Sequence, residues 1–198
     1  LDAWPMRPIT AAEFFSLEMP QHTPDRAVNL QKYILDTREN PLERANTVSF
    51  LAICRSRTAI PLLVAGLRQE TDAQVVSDYL LALAALHGKL AADVLVPRLT
   101  GKVKRQRFAA AKLYALQTYA DVKLLLDLAG KEKEKLVRLE LYRAAAANAK
   151  KSTFAVWQPV IKRKLNADEL AVITPALYRF AELTQHREQV LTWCPQGK

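Results

Sequence analysis

Apolar residues recur every three or four positions along most of this chain, the spacing that gathers them on one face of an α-helix. The pattern predicts helical segments that are alternately longer and shorter, joined by links of a few residues, as antiparallel neighbours require. The predicted segments are 42–55, 58–69, 72–87, 91–100, 103–118, 120–129, 132–149, 152–165, 167–183 and 185–193. This order predicts an all-α chain built from helical hairpins.

The first forty residues carry a less regular pattern. The opening octapeptide contains two prolines, so we expect it to be extended. Thr10–Glu13 has capping-box spacing and Thr23–Asp25 has proline at the first helical position, so each predicts the start of a short helix. Asn40–Glu43 is a third start of this kind. We therefore predict an extended segment and capping helices at 1–40, forming one structural unit with a repeat domain at 41–198.

Two features repeat along the predicted helices. The triplet Ala92–Val94 returns as Ala120–Val122, in each case where a shorter helix begins. In the longer helices Ala45, Val76, Arg107 and Arg138 recur at a constant spacing. This period of about 31 residues, with two helices per unit, indicates an α-solenoid, whose units bury their apolar faces only by stacking.

Residues 42–181 resemble HEAT repeats of the short type that also occurs in phycobilisome lyases. The resemblance lies in the A-I-P-L-L of Ala59–Leu63, the L-V-R of Leu136–Arg138 and the alternation of longer and shorter helices. It implies a right-handed α-solenoid of about five helical-hairpin repeats with an N-terminal helical cap. It also implies binding of protein or nucleic acid on an extended surface. The second half departs from the pattern, because the spacing drifts and Lys135–Lys151 predicts an unusually long, alanine-rich helix.

The amino-acid composition argues against several classes of protein. With five glycines in 198 residues, a large all-β domain with many tight turns is not expected. The longest apolar run, Tyr79–Leu86, is far shorter than the roughly 20 residues that span a bilayer. Cys54 and Cys194 do not make a disulfide framework, and Cys54 lies in an apolar helical pattern where a thiol acts as a small hydrophobe.

The chain begins at Leu1 without a methionine or an apolar leader, which fits a processed form or a segment of a longer protein. The compartment stays open, with the cytoplasm favoured.

No catalytic or metal-binding motif stands out. Phosphate-binding glycine loops, H-E-x-x-H and C-x-x-C are absent from the sequence, and His22, His87 and His186 are far apart. His87-Gly88 is typical of a helix terminus with Gly88 at the C′ position. Asp93 and Asp121 begin shorter helices, where capping is favoured over a catalytic carboxylate pair. We expect a non-enzymatic protein without a cofactor or metal.

The net charge of +9 is concentrated in one third of the chain. Residues 101–164 hold 16 Lys and Arg against 5 Asp and Glu, whereas the rest of the chain holds 13 against 15. In an α-solenoid, the turns between repeats all lie along one edge. The cations near these turns, here called the basic edge, are Arg98, Lys102, Lys104, Arg105, Arg107, Lys131, Lys133, Lys135, Arg138, Lys162, Arg163 and Lys164. This arrangement predicts a surface for an anionic partner.

A purely structural explanation of these charges stays open. Lysines near a helix end stabilise the helix dipole, and the alternating Lys131–Lys135 segment partly neutralises itself. Trp157 lies near several cations, where it either stacks on a partner or fills the core beneath the last repeats. The tyrosines of the longer helices are predicted core residues with hydroxyls at the rim: Tyr79, Tyr114, Tyr142 and Tyr178.

Three functions follow from these observations. The first is a scaffold for protein–protein interaction whose basic edge contacts an acidic partner. The alternative is a nucleic-acid-binding solenoid that uses the same edge, since both partners are anionic. A tetrapyrrole lyase or chaperone is suggested only by the resemblance. An acidic membrane surface is a further possible partner of the edge, and no oligomeric state is indicated.

Overall fold

The computed structural model describes residues 40–55, 57–163 and 165–183. The helices predicted before residue 40 and at 185–193, together with His22, Lys164, His186 and Cys194, lie outside the described residues. Within these residues the chain forms nine α-helices and no strand, which confirms the all-α class. The helices are α1 Pro41–Ile53, α2 Ile60–Gln69, α3 Ala73–Ala85, α4 Ala92–Leu99, α5 Lys104–Tyr114, α6 Val122–Lys131, α7 Lys135–Ala147, α8 Phe154–Ile161 and α9 Ala167–Leu183. Short 3-10 turns, Arg57–Ala59 and Lys151–Thr153, precede α2 and α8.

Side-chain caps begin four of these helices, and at α9 the Asn166 side chain accepts from the Glu169 amide at 3.0 Å. The Asn40 side chain accepts from the Leu42 amide at 2.9 Å, and Pro41 takes the first helical position. Asp72 accepts from two amides at the start of α3, and Asp121 does so at the start of α6. The predicted capping role of Asp121 is confirmed. That of Asp93 is wrong, because Asp93 lies inside the first turn of α4, whose N-cap has no side-chain bond.

The end of α3 is a Schellman motif shifted by one residue from the prediction. His87, not Gly88, takes the left-handed conformation at C′, with φ of 54°. The Gly88 amide donates to the Leu83 carbonyl at 2.7 Å, and the His87 amide donates to the Ala84 carbonyl at 3.2 Å. A Cβ on Gly88 would lie 2.8 Å from Leu83 Cδ2, so a larger residue there would displace the Leu83 side chain.

The longer helices pack on one another in chain order, α1 on α3, α3 on α5, α5 on α7 and α7 on α9. Each of α2, α4 and α6 packs on the longer helix that follows it, and α8 packs on α6. One continuous apolar core runs through these contacts. The buried alanines at 109–111 and 144–146 allow α5 and α7 to approach closely. Among the described residues, no helix combines enough length and apolar character to cross a bilayer.

Three of the four helical tyrosines lie in this core. Tyr79, Tyr114 and Tyr142 are buried, as predicted, whereas Tyr178 is 53% exposed on α9. Tyr79 packs directly on Gly66 of α2, where a Cβ would lie 2.8 Å from the Tyr79 Cζ atom. Only glycine therefore leaves room for this ring at the α2–α3 contact.

A set of polar contacts connects the C-terminal ends of the longer helices. It is made by Gln117, Asn148 and Arg179, which recur at the repeat spacing. Gln117 donates to the Gly88 carbonyl at 3.2 Å. Asn148 donates to the Ala115 carbonyl at 2.9 Å, and Arg179 donates to the Ala149 carbonyl at 3.0 Å. Each side chain thus satisfies carbonyls at the end of the preceding longer helix, which would otherwise lack a donor.

Replacing His87 with glycine is expected to raise the free energy of unfolding by about 0.5–1 kcal/mol, because a Cβ is strained at positive φ. Urea unfolding followed by circular dichroism measures the change. His87→Ala is the matched control, since alanine keeps the Cβ and should bring no gain. Equal stabilities of the two variants would contradict this explanation.

Candidate partner-binding edge

An arginine–carboxylate ion pair lies at every contact between successive longer helices. The four pairs are Arg44–Glu70, Arg105–Asp78, Arg107–Glu132 and Arg138–Glu169. Three of the arginines are the fourth residues of α1, α5 and α7, so the same helical position serves the same purpose in three units. Each of these three arginines therefore reaches a carboxylate at the start of the next longer helix.

The pair between Arg44 and Glu70 is almost completely buried, with 5% and 3% of the side chains exposed. Arg44 Nε lies 2.8 Å from Glu70 Oε2, and Arg44 Nη2 lies 2.9 Å from Oε1. Oε1 also accepts from the amides of Thr71 and Asp72. Burial by itself would raise the pKa of Glu70, but the hydrogen bonds from Arg44 and these amides outweigh it and hold the pKa below its ordinary value.

Arg107 repeats this arrangement two units later. Its Nε and Nη2 atoms donate to the two oxygens of Glu132 at 2.7 and 3.0 Å. Its Nη1 atom donates to the carbonyls of Gly101 and Lys102 in the turn before its own helix. Burial would raise the pKa of Glu132, but the bonds from Arg107 and the turn amides again hold it lower. One side chain therefore joins two successive turns.

Arg138 extends the connection to a third turn. Its Nη1 atom donates to the carbonyls of Glu132 and Lys133, and its Nε atom donates to Glu169 Oε1 at 2.7 Å. The turns before α5 and α7 and the first helical turn of α9 are thus linked in series through Arg107 and Arg138.

The contact between α3 and α5 has the opposite polarity. The fourth residue of α3 is Val76, whereas it is arginine in α1, α5 and α7. Here the acid, Asp78, belongs to the earlier helix, and the arginine, Arg105, belongs to the later one. Burial raises the pKa of Asp78, and Arg105 opposes that shift only in part.

The predicted basic edge therefore divides into two groups. Arg105, Arg107, Lys135 and Arg138 form ion pairs with carboxylates of the chain, Lys135 with Asp168. Within residues 40–55, 57–163 and 165–183, the remaining members form no ion pair: Arg98, Lys102, Lys104, Lys131, Lys133, Lys162 and Arg163. All of these except Arg98 are exposed.

The half-buried member of the second group is Arg98. It donates to the Val94 carbonyl of its own helix, and burial lowers its pKa. Arg163 lies against α6, since a Cβ on Gly130 would be 2.8 Å from its Nη1 atom. We name Lys102, Lys104, Lys131 and Lys133 the four-lysine strip.

A groove of about 400 Å³ separates the turns that carry this strip. Thr100 and Gly101 line one side, and Lys131–Glu134 lines the other. Leucines from α4, α6 and α7 and the paired guanidinium of Arg107 also line it. The groove is open to solvent, with lysines at its margins.

Trp157 has no exposed surface. Its ring meets Phe180 edge-to-face, with the centroids 6.0 Å apart. Its indole nitrogen has no hydrogen-bond partner among the described residues. The interpretation as a core residue agrees with this position, and stacking of Trp157 on a partner does not, because the ring is fully covered.

Candidate reactive groups are few in the part of the chain that the structure describes. No three His, Cys, Asp or Glu side chains there are grouped as a metal site would require. Burial raises the pKa of the Cys54 thiol, the opposite of the shift that activates a nucleophile. No family model, curated protein or solved structure matches this chain. The edge must be interpreted from its own geometry.

The carboxylates that complete this site were missed at the sequence level. Three of them follow their arginine by 25 to 31 residues, whereas Asp78 precedes Arg105 by 27. Glu70 and Glu132 are separated by twice the repeat length, and this spacing is the sequence signal that could have identified them.

Replacing Arg44 with methionine is expected to lower the free energy of unfolding by about 3–5 kcal/mol, because Glu70 is left as an unpaired buried charge. Adding Glu70→Gln should restore more than half of the loss, since the amide is neutral yet still accepts from the turn. Chemical denaturation of both variants measures this. A double variant no more stable than the single one would show that lost packing, not the stranded charge, is responsible.

The lowered pKa values of Glu70 and Glu132 predict loss of stability in acid. Their ionised forms are favoured by folding, so their stabilisation is present above the unfolded pKa of about 4.3 and is lost as pH falls through the folded values. Urea unfolding at several pH values should show this decline. The Glu70→Gln/Glu132→Gln variant should decline less steeply, and parallel curves would contradict the assignment.

Proposed function

We propose that this chain is a non-enzymatic scaffold, an α-solenoid of about five HEAT-like units, whose basic edge binds an acidic surface of another protein. The serial packing of the longer helices supports the solenoid. Contacts made at the repeat spacing by Gln117, Asn148 and Arg179 support a unit of the predicted length. Stacked units present their turns side by side, so an extended partner can engage several of them together.

The observation that carries this proposal is the four-lysine strip. Its members are exposed and have no carboxylate partner in the described part of the chain, whereas the neighbouring arginines are committed to internal pairs. Lysines needed only for folding would be expected to meet acids of their own chain. Two adjacent turns that keep their ammonium groups in water favour an anionic partner.

A protein is favoured over a nucleic acid by what lies between the lysines. Val103 is 37% exposed and Leu136 is 71% exposed, so each turn presents an aliphatic side chain beside its charges. A mixture of basic and aliphatic groups suits an acidic protein segment with apolar side chains.

Reversing one lysine in each turn, Lys102→Glu with Lys133→Glu, is expected to weaken binding of a fluorescein-labelled hexaglutamate peptide at least about tenfold. Fluorescence anisotropy measures the dissociation constants at low and at physiological salt. The matched control is Lys123→Glu with Lys150→Glu, the same charge change at exposed lysines of the opposite turns. That control should bind within about threefold of the wild-type chain.

Equal weakening by the two double variants would overturn the proposal, because only net charge would then matter. A labelled DNA duplex serves as the second probe. Tighter binding of the duplex than of the peptide, with a steep salt dependence, would instead favour the nucleic-acid alternative.

A further inference from the structure

The turns before α3, α5 and α7 can be aligned residue by residue. The residue three positions before the helix starts is Glu70, Gly101 and Glu132, respectively. Successive members of this set are also one repeat apart in the sequence. Gly101 therefore stands in the place where both neighbouring units have a glutamate.

The glutamates at this place bind the backbone of their own turn. Glu70 Oε1 accepts from the amides of Thr71 and Asp72 at 3.0 and 2.9 Å. Glu132 Oε1 accepts from the Glu134 amide at 3.0 Å. The carboxylate thereby satisfies amides that would otherwise face solvent.

The middle turn lacks this acceptor. Its corresponding amides belong to Lys102 and Val103, and neither donates a hydrogen bond to any group in the described ranges. The arginine that would pair with a carboxylate here is also absent, since Val76 takes its place on α3. The turn thus lacks both the glutamate and its arginine. Its two backbone amides have no acceptor among the described residues, and its lysines have no acid to pair with.

A side chain at Gly101 would fit without a clash. Gly101 lines the groove described above, and a Cβ built on it would come no closer than 3.7 Å to another group, the Arg98 carbonyl oxygen. Lys131 and Lys133 of the four-lysine strip line this groove, and Lys102 follows Gly101 directly in the sequence. Of the two acids in the lining, Glu132 is paired with Arg107, and Glu134 is exposed and offsets one of the lysines. A carboxylate that enters the groove therefore meets more unpaired cations than unpaired acids.

We propose that the groove beside Gly101 receives a carboxylate side chain of an acidic protein segment, in the place that Glu70 and Glu132 fill in the neighbouring turns. The incoming carboxylate accepts from the amides of Lys102 and Val103, and the four-lysine strip attracts the acidic residues around it. This inference rests on the proposed function, because it names the position at which the acidic partner engages the edge.

Gly101→Glu tests the inference, since it supplies from within the chain the carboxylate that the partner would bring. It should weaken binding of the fluorescein-labelled hexaglutamate peptide at least about tenfold. Gly101→Ala, which adds only a Cβ, and Lys123→Gln, which removes one charge at an exposed lysine away from the basic edge, should each change it less than about threefold. Adding the peptide to the wild-type chain should shift the amide resonances of Lys102 and Val103 in NMR spectra.

Two further readouts separate this inference from a general charge effect. The introduced carboxylate should have a pKa below that of an ordinary glutamate, and Gly101→Glu should melt no lower than the wild-type chain. An ordinary pKa, unshifted Lys102 and Val103 amides, or equal binding by Gly101→Glu and Lys123→Gln would each overturn the inference while leaving the basic edge as the binding surface. Absence of peptide binding by the wild-type chain would overturn both proposals.

Discussion

Charge that is removed from water has to be paired, and this requirement determines how the longer helices stack. Apolar faces rich in alanine and leucine tolerate more than one alignment, because the hydrophobic effect has no direction. The ion pairs between successive longer helices do not tolerate a second alignment. A slide of one helical turn, about 5.4 Å, would separate Arg44 from Glu70 and leave both charges buried without a partner. The core supplies the attraction between helices, and the ion pairs select the alignment.

The same requirement separates the roles of arginine and lysine. Arg107 and Arg138 each bind a carboxylate and two carbonyls at once, a task suited to a planar group with several fixed donors. Lysine offers a compact, strongly hydrated charge, and the lysines of the strip keep theirs in water. The positive charge that the sequence concentrates in one region thus has two uses, one inside the stack and one at its surface.

The helical pattern could be predicted closely, because periodicity, Asn40 and Asp121 are local signals. Each of the nine described helices corresponds to a predicted segment, and the ends differ by no more than four residues. Which cations are exposed could not be predicted, since Arg107 meets Glu132 only after α5 and α7 have packed. The preference of helix ends for glycine led to the wrong residue at C′, because His87 takes the left-handed conformation there and Gly88 follows it.

The reversed pair of Asp78 and Arg105 makes one contact in the stack unlike the others. If every contact used arginine on the earlier helix and glutamate on the later turn, the units would be interchangeable, and a chain could skip one during folding. Joining α1 directly to α5 would place Arg44 opposite Gly101, which has no side chain to receive it. A direct contact between α1 and α5 would therefore lack the ion pairs that each of these helices makes at α3 and the turn before it.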